Sequence, residues 1–295
     1  MTVDSLLRDA VDRLRAAGCE SPRLDAELLL ANVLGIERTS LRAHPDAPVG
    51  DGQVARFMEA VARREAGEPV AYLRGVKEFV GLAFATDERA LIPRPETEQL
   101  VELAEADIAR RLLAAPRPPG TPPIRVVDVG TGSGAIAVSI AARLRARRML
   151  EEVDILATDD DPGALDLAKE NAVGHAVADR VRFAEADLIP LTEPPFDLIL
   201  ANLPYVSTAA MAELPAPVLF EPRHALEGGP DGLDIVRRLL SILPEVLSQR
   251  GLALLEIGAD QESGMQGAVA QLAGAWTCEV ERDLAGLPRI ARIHR

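Results

Sequence analysis

Apolar residues recur at helical spacing through the first 75 positions, and then the period changes. Leu6, Leu7, Val11 and Leu14 share one helical face ahead of Gly18, and a glycine just past such a face is a stop signal. Leu24, Leu28, Leu29, Val33 and Leu34 repeat the pattern up to Gly35, and Val54, Phe57, Met58 and Val61 repeat it again before Gly67 and Pro69. Three amphipathic helices of this kind predict a small bundle over residues 1–75. Over residues 76–92, Phe79, Val80, Leu82 and Phe84 are broken by Gly81, which predicts a hairpin linker. Prolines at 93 and 95 then stop one element, and an acidic run opens a helix reaching about Leu113. The stretch from Ala115 to Pro123 is proline-rich and reads as a loop.

From Ile124 onward short apolar runs alternate with helical patterns. The runs Ile124–Val129, Val153–Thr158, Val181–Phe183, Phe196–Ala201 and Leu252–Ile257 are predicted strands, and helices are expected to begin near Ser133, Pro162, Asp231 and Gln261. This alternation predicts an α/β domain over residues 93–295, with a mostly parallel sheet covered on both faces.

Composition narrows the class. The 295 residues are 48% hydrophobic and 26% charged, ordinary proportions for a globular chain. No apolar stretch is long enough to span a bilayer, and Met1-Thr2-Val3-Asp4 lacks a basic, apolar leader, so the expected location is cytoplasmic. Cys19 and Cys278 are the only cysteines and the four histidines are scattered, which argues against a disulfide framework or a zinc site. A net charge of −14 argues against a phosphate backbone as partner. The one basic cluster, Arg143, Arg145, Arg147 and Arg148, falls where cations complement a helix dipole.

The candidate chemistry lies at the carboxyl ends of the predicted strands, where open α/β sheets bind ligands. The first ends in Asp128-Val129-Gly130-Thr131-Gly132-Ser133-Gly134, a glycine-rich turn into a helix, where backbone N–H groups approach a ligand closely. With Ala135 it also satisfies the dinucleotide fingerprint. The second ends in Asp159, placed to accept from ribose hydroxyls of either NAD or S-adenosylmethionine. Asp187, before Leu188, is either an acceptor for an adenine amino group or an ordinary loop carboxylate. The fourth ends in Asn202-Leu203-Pro204-Tyr205: an amide and backbone carbonyls that can accept from a planar NH₂ group, and a flat ring to stack on it. Hydride transfer uses the first two features and has no use for the fourth, whereas methyl transfer to a planar nitrogen uses all of them.

The fourth motif resembles the Asn-Pro-Pro-Tyr of methyltransferases acting on planar nitrogens, and the resemblance extends along nearly the whole chain. Leu91-Ile92-Pro93-Arg94-Pro95-Glu96-Thr97-Glu98, Glu221–Leu226, Gly229–Leu233, Leu255-Glu256-Ile257-Gly258 with Gln261, and Asp283–Arg289 are similar to segments of the HemK/PrmC family, the peptide chain release factor glutamine-N5 methyltransferases. The resemblance implies a class I S-adenosylmethionine-dependent methyltransferase, Rossmann-like with a seven-stranded mostly parallel sheet, preceded by a helical substrate-recognition domain. It implies that Gly130, Thr131, Gly132, Ser133, Gly134, Asp159, Asp187, Leu188 and Asn202 hold S-adenosyl-L-methionine. It further implies that Asn202, Leu203, Pro204 and Tyr205 receive the substrate amide, with Asn202, Pro204 and Tyr205 carrying catalysis. The expected partner is a class I release factor met by a monomer, with no membrane or nucleic acid. Arg94 either positions a loop or forms a salt bridge. The family has proline where this chain has Leu203, and Asn-Leu-Pro-Tyr also resembles ribosomal RNA adenine dimethyltransferases. The alternatives are therefore adenine-N6 methylation of RNA or DNA, glutamine methylation of another translation protein, an inactive binding module, and a dehydrogenase.

Overall fold

The computed structural model describes residues 1–114, 118 and 120–295, so the proline-rich loop read at 115–123 lies partly outside the described residues. The chain divides into two compact units. One comprises residues 1–77, 86–88 and 214–221; the other comprises 78–85, 89–213 and 222–295. This partition cuts the chain differently from a boundary drawn at 75 and 92: the segment 214–221 groups with the amino-terminal unit, as the contact of Gly67 with Phe220 and Ala216 illustrates.

In the first unit the amphipathic patterns form α1 (Val3–Ala16), α2 (Pro22–Leu34), α3 (Arg38–Ala43), α4 (Asp51–Glu65) and α5 (Val70–Arg74). α3 and α5 are too short to leave a periodic signature. Thr2 opens α1 with a reciprocal cap, its Oγ1 accepting from Ser5 N–H at 3.3 Å while Ser5 Oγ accepts from Thr2 N–H at 3.0 Å. Gly35 closes α2 in the left-handed conformation, φ 66°. Leu6, Leu14, Leu29, Leu30, Phe57 and Val61 meet in the core of this unit. A nearly buried pair, Arg64 with Asp25 at 2.8 Å, ties α4 to α2.

β1 (Val76–Phe79) and β2 (Leu82–Ala85) form the predicted hairpin. Its two-residue turn, Val80-Gly81, has φ of 51° and 74°, the handedness that matches strand twist.

In the second unit a 3₁₀ turn, Pro95–Thr97, leads into α6 (Glu98–Leu113), and the remaining elements alternate: β3 (Ile124–Val129), α7 (Ala135–Ala146), β4 (Val153–Asp159), α8 (Pro162–Gly174), β5 (Val181–Glu185), β6 (Phe196–Ala201), α9 (Asp234–Val246), β7 (Leu247–Glu256), α10 (Glu262–Val269), β8 (Thr277–Arg282) and β9 (Pro288–His294). The seven strands run in the order β5-β4-β3-β6-β7-β9-β8. β5 through β7 pair in parallel, and β9 pairs antiparallel with both β7 and β8. Successive residues of the central strands point to opposite faces. Val126 and Leu198 therefore join one core with Leu100, Ile108 and Ile140, while Val127, Val129 and Ile199 join the other with Leu239, Leu243 and Met265.

Strand order reverses at β3, which lies between β4 and β6, and that reversal opens a crevice at the carboxyl edge. The register aligns the strand ends: Val129 sits opposite Thr158 on one side and Ala201 on the other. Gly130 and Asn202 therefore leave the sheet side by side, next to Asp159, the last residue of β4.

Candidate active site

A cleft of about 700 Å³ opens at this edge. Its walls come from Ala90–Arg94 and Thr97, from the glycine turn, from Asp159–Pro162, from Ala186–Leu188, from Asn202–Pro204, and from the segment between His224 and Gly229.

The glycine turn is shaped for close approach. Gly130, Gly132 and Gly134 have φ of 67°, 54° and 79°, a region side chains rarely adopt. Thr131 N–H donates to the Thr158 carbonyl at 2.8 Å, and its hydroxyl donates to Asp128 Oδ2 at 2.6 Å. Asp128 Oδ2 also accepts from Ala137 N–H at 3.1 Å, so a wholly buried carboxylate fastens the turn to α7. Burial pushes that carboxyl up to about 6, against the pull of the Thr131 and Ala137 hydrogen bonds. Gly130, Thr131, Gly132 and Ser133 line the cleft. Gly134 is not on the wall; it faces α8, where a Cβ would meet Ala168 Cβ at 3.0 Å.

Asp159 is held on both oxygens, Oδ2 accepting from Gly132 N–H at 2.8 Å and Oδ1 from Asp161 N–H at 3.0 Å. Burial raises its pKa, opposed by those two bonds and reinforced by Asp160 and Asp161. Asp161 itself caps α8, accepting from Gly163 and Ala164 N–H. Asp187 and Leu188 lie across the cleft, and Asp187 is ion-paired with Arg238 of α9. The residues present suit S-adenosylmethionine: N–H groups of a turn with no side-chain screen, a fixed carboxylate at the adjacent strand end, and a second carboxylate at the end of β5.

The fourth strand end carries the most developed polar network. Asn202 Nδ2 donates to Thr97 Oγ1 at 3.0 Å, and Thr97 Oγ1 donates to Glu256 Oε2 at 2.7 Å. The Tyr205 hydroxyl donates to Glu256 Oε1 at 3.4 Å. Burial, and then the Glu256 carboxylate, push Tyr205 up to about 12. Burial likewise raises Glu256, opposed by the Thr97 bond and by Arg289. Asn202, Leu203 and Pro204 line the cleft, whereas the Tyr205 ring is not part of its wall. The Tyr205 carbonyl accepts from Gln261 Nε2 at 2.9 Å. Among the described residues no group donates to the Leu203 or Pro204 carbonyl. Leu203 is buried, and its Cδ2 occupies the space a Cβ on Gly130 would need.

Thr97, Glu256 and Asp128 were not singled out for chemistry in the sequence. Thr97 and Glu256 do lie inside two of the segments that carried the resemblance, and those segments converge here. His224 and Arg94 also reach the cleft.

A seven-stranded sheet of this order with a glycine turn, a strand-end carboxylate and an amide-bearing loop on one cleft defines an S-adenosylmethionine-dependent methyltransferase. The fold agrees with the hMettl16 catalytic domain, at TM-score 0.54 and 17% identity over 83% of this chain and 81% of that one. Residues 5–75 match the family described as PrmC N-terminal domain, and residues 103–231 match the methyltransferase small domain. The release factor glutamine methyltransferase of Moorella thermoacetica is 41% identical over 297 residues, covering 100% of this chain and 99% of its own. That of Rhodopirellula baltica is 40% identical over 298 residues, covering 100% and 96%. The chain belongs to the family of release factor glutamine methyltransferases.

Proposed function

We propose that this protein transfers a methyl group from S-adenosyl-L-methionine to the side-chain nitrogen of the glutamine in the Gly-Gly-Gln loop of a class I release factor. It acts as a cytoplasmic monomer, without a nucleic-acid partner. Support comes from the full-length relatedness to enzymes of that name and from one feature of the cleft: an amide at the end of β6 whose nitrogen is already engaged by Thr97, which turns its oxygen away from that bond.

An amide nitrogen is a poor nucleophile because its lone pair is delocalised into the carbonyl. In this reading Asn202 Oδ1 and the carbonyl of Leu203 or Pro204 accept the two N–H protons, which holds the NH₂ group in place and favours its pyramidalisation. S-adenosylmethionine, when bound, supplies a methyl on a positively charged sulfur. Gly130, Gly132 and Asp159 fix where that donor lies relative to Asn202. Alignment of two reactants is worth as much as about 7–11 kcal/mol in favourable cases. No general base is required, because the N-methylated amide cation is strongly acidic and loses its proton to water.

The reaction is tested by incubating the protein with methyl-labelled S-adenosylmethionine and the release factors of its own organism, then mapping the label by mass spectrometry. One methyl on the Gly-Gly-Gln glutamine is the expected result. Label on RNA, or on another protein's glutamine, with none on the release factor would overturn the substrate assignment.

A further inference from the structure

We propose that Thr97 and Glu256 act as a positioning relay that sets which end of the Asn202 carboxamide faces the cleft. The proposal rests on the reading of Asn202 as an acceptor for the substrate amide.

The two ends of a carboxamide have nearly the same shape, but one accepts and the other donates. Presented the wrong way, Asn202 would oppose two N–H donors to the two N–H donors of the incoming glutamine. Packing cannot choose between such isosteric ends; only hydrogen bonding can. The structure contains a chain of logic that does so. An ionised carboxylate is acceptor-only, so the Thr97 hydroxyl, 2.7 Å from Glu256 Oε2, spends its single proton there. Its oxygen can then only accept from Asn202, at 3.0 Å, which commits Nδ2 to Thr97 and leaves Oδ1 for the substrate.

The relay is buried at two of its three members and joins a 3₁₀ turn to the ends of two adjacent strands. Glu256 is 1% exposed and Thr97 4% exposed. Ala201 pairs with Leu255, so Asn202, the first residue past β6, lies beside Glu256, the last residue of β7. The second oxygen of Glu256 receives the Tyr205 hydroxyl, so one carboxylate braces both polar residues of the loop. The charged groups acting on Glu256 are Arg289, which favours its ionised form, and Glu96, which opposes it. Protonation reverses the logic: a neutral Glu256 can donate to Thr97, whose proton is released toward Asn202, and either amide end then fits. Because burial raises the Glu256 pKa, orientation is lost on acidification above the pH at which an ordinary carboxylate titrates.

The test compares Thr97→Val, Thr97→Ser, Glu256→Gln and Asn202→Ala with the wild type. The readouts are kcat, S-adenosylmethionine affinity by calorimetry, the pH profile, and solvent exchange of the Asn202 side-chain NH₂ by NMR without substrate. Thr97→Val is expected to lower kcat at least about 30-fold, in keeping with the cost of misplaced reactants, while cofactor affinity stays within about threefold. Thr97→Ser restores the rate, Glu256→Gln flattens the acidic limb of the pH profile, and Asn202 NH₂ exchange accelerates in both Thr97→Val and Glu256→Gln. Thr97→Val with near-wild-type kcat, beside an inactive Asn202→Ala, would overturn the relay and leave the acceptor reading standing. An active Asn202→Ala would overturn that reading itself. Equal losses in Thr97→Val and Thr97→Ser would also overturn the relay, since only one of them lacks the hydroxyl.

Discussion

Gly130 and Leu203 provide a direct test of whether the glycine turn after β3 and the loop after β6 form one packed unit. Gly130 has φ 67°, and a Cβ added to it would lie 3.0 Å from Leu203 Cδ2. Gly130→Ala therefore has two separable costs. Holding an L-residue in the left-handed region costs roughly 1–2 kcal/mol, and overpacking a well-filled site adds about 1 kcal/mol or more. Leu203 is 4% exposed within the core shared with Val127 and Val129, so Leu203→Ala should cost about 2–5 kcal/mol by itself. In the double variant the backbone strain persists but the clash is gone. The two effects should thus fall short of additivity by about 0.5–1.5 kcal/mol, within the roughly 0.5–3 kcal/mol seen for residues in contact. Urea unfolding of the four proteins measures the stability cycle, and calorimetric titration with S-adenosylmethionine measures the same coupling in affinity. Additivity within about 0.3–0.5 kcal/mol, the level of independent sites, would refute the contact as an energetic link.

Further outcomes follow from the same geometry. Asn202→Ala should abolish methyl transfer while leaving cofactor affinity largely intact, and calorimetry showing a large loss of binding would remove it from the acceptor role. Asp159→Ala should do the reverse, weakening S-adenosylmethionine binding by at least about tenfold, the worth of one charge-assisted hydrogen bond; a normal dissociation constant would take Asp159 out of the site. Asp128 is raised to about 6 by burial, so the folded state holds its proton more tightly than the unfolded state. Its stability penalty is full above the folded pKa and disappears as pH falls toward the ordinary carboxylate value. Relative to Asp128→Asn, the wild type should gain about 2 kcal/mol between pH 7 and pH 4.5. Parallel denaturant titrations at the two pH values check the sign, and a wild type that gains nothing on the variant would refute it.

The parts of the fold that repeat with a short period were readable from the residues alone. The strand limits of β3 and β6 match their predicted ranges residue for residue, because parallel strands buried on both faces carry near-continuous apolar stretches, here interrupted only by Arg125, Asp128 and Asp197. β8 and β9 were not recognised as strands from their residues, since half-exposed segments such as Thr277–Arg282 lack that signal; their number entered only through the family resemblance. The glycine turn and Asp159 were legible for the same local reason, the turn following β3 directly and Asp159 being the last residue of β4. Thr97 and Glu256 were not legible as site residues. Thr97 meets Asn202 across 105 positions and Glu256 meets Tyr205 across 51, so no spacing rule within one segment could pair them.

Leu203 shows how such distant contacts replace a local constraint. A proline at this position would fix the backbone through its ring, and a leucine surrenders that restriction. In this chain the loop is instead held from outside on either side of Leu203 and Pro204, at Asn202, Tyr205 and Val206. Asn202 is tied to Thr97, the Tyr205 carbonyl accepts from Gln261, Val206 N–H donates to the Leu226 carbonyl, and the Val206 carbonyl accepts from Gly228 N–H. A side chain on Gly232 would collide with both the Tyr205 carbonyl and Gln261, so the clamp depends on a glycine as well as on the amide. Leucine adds apolar burial against Gly130 that couples this loop to the glycine turn. Rigidity here is a property of the tertiary fold, which is why a loop one proline short of its family's pattern can still present Asn202 in a defined orientation.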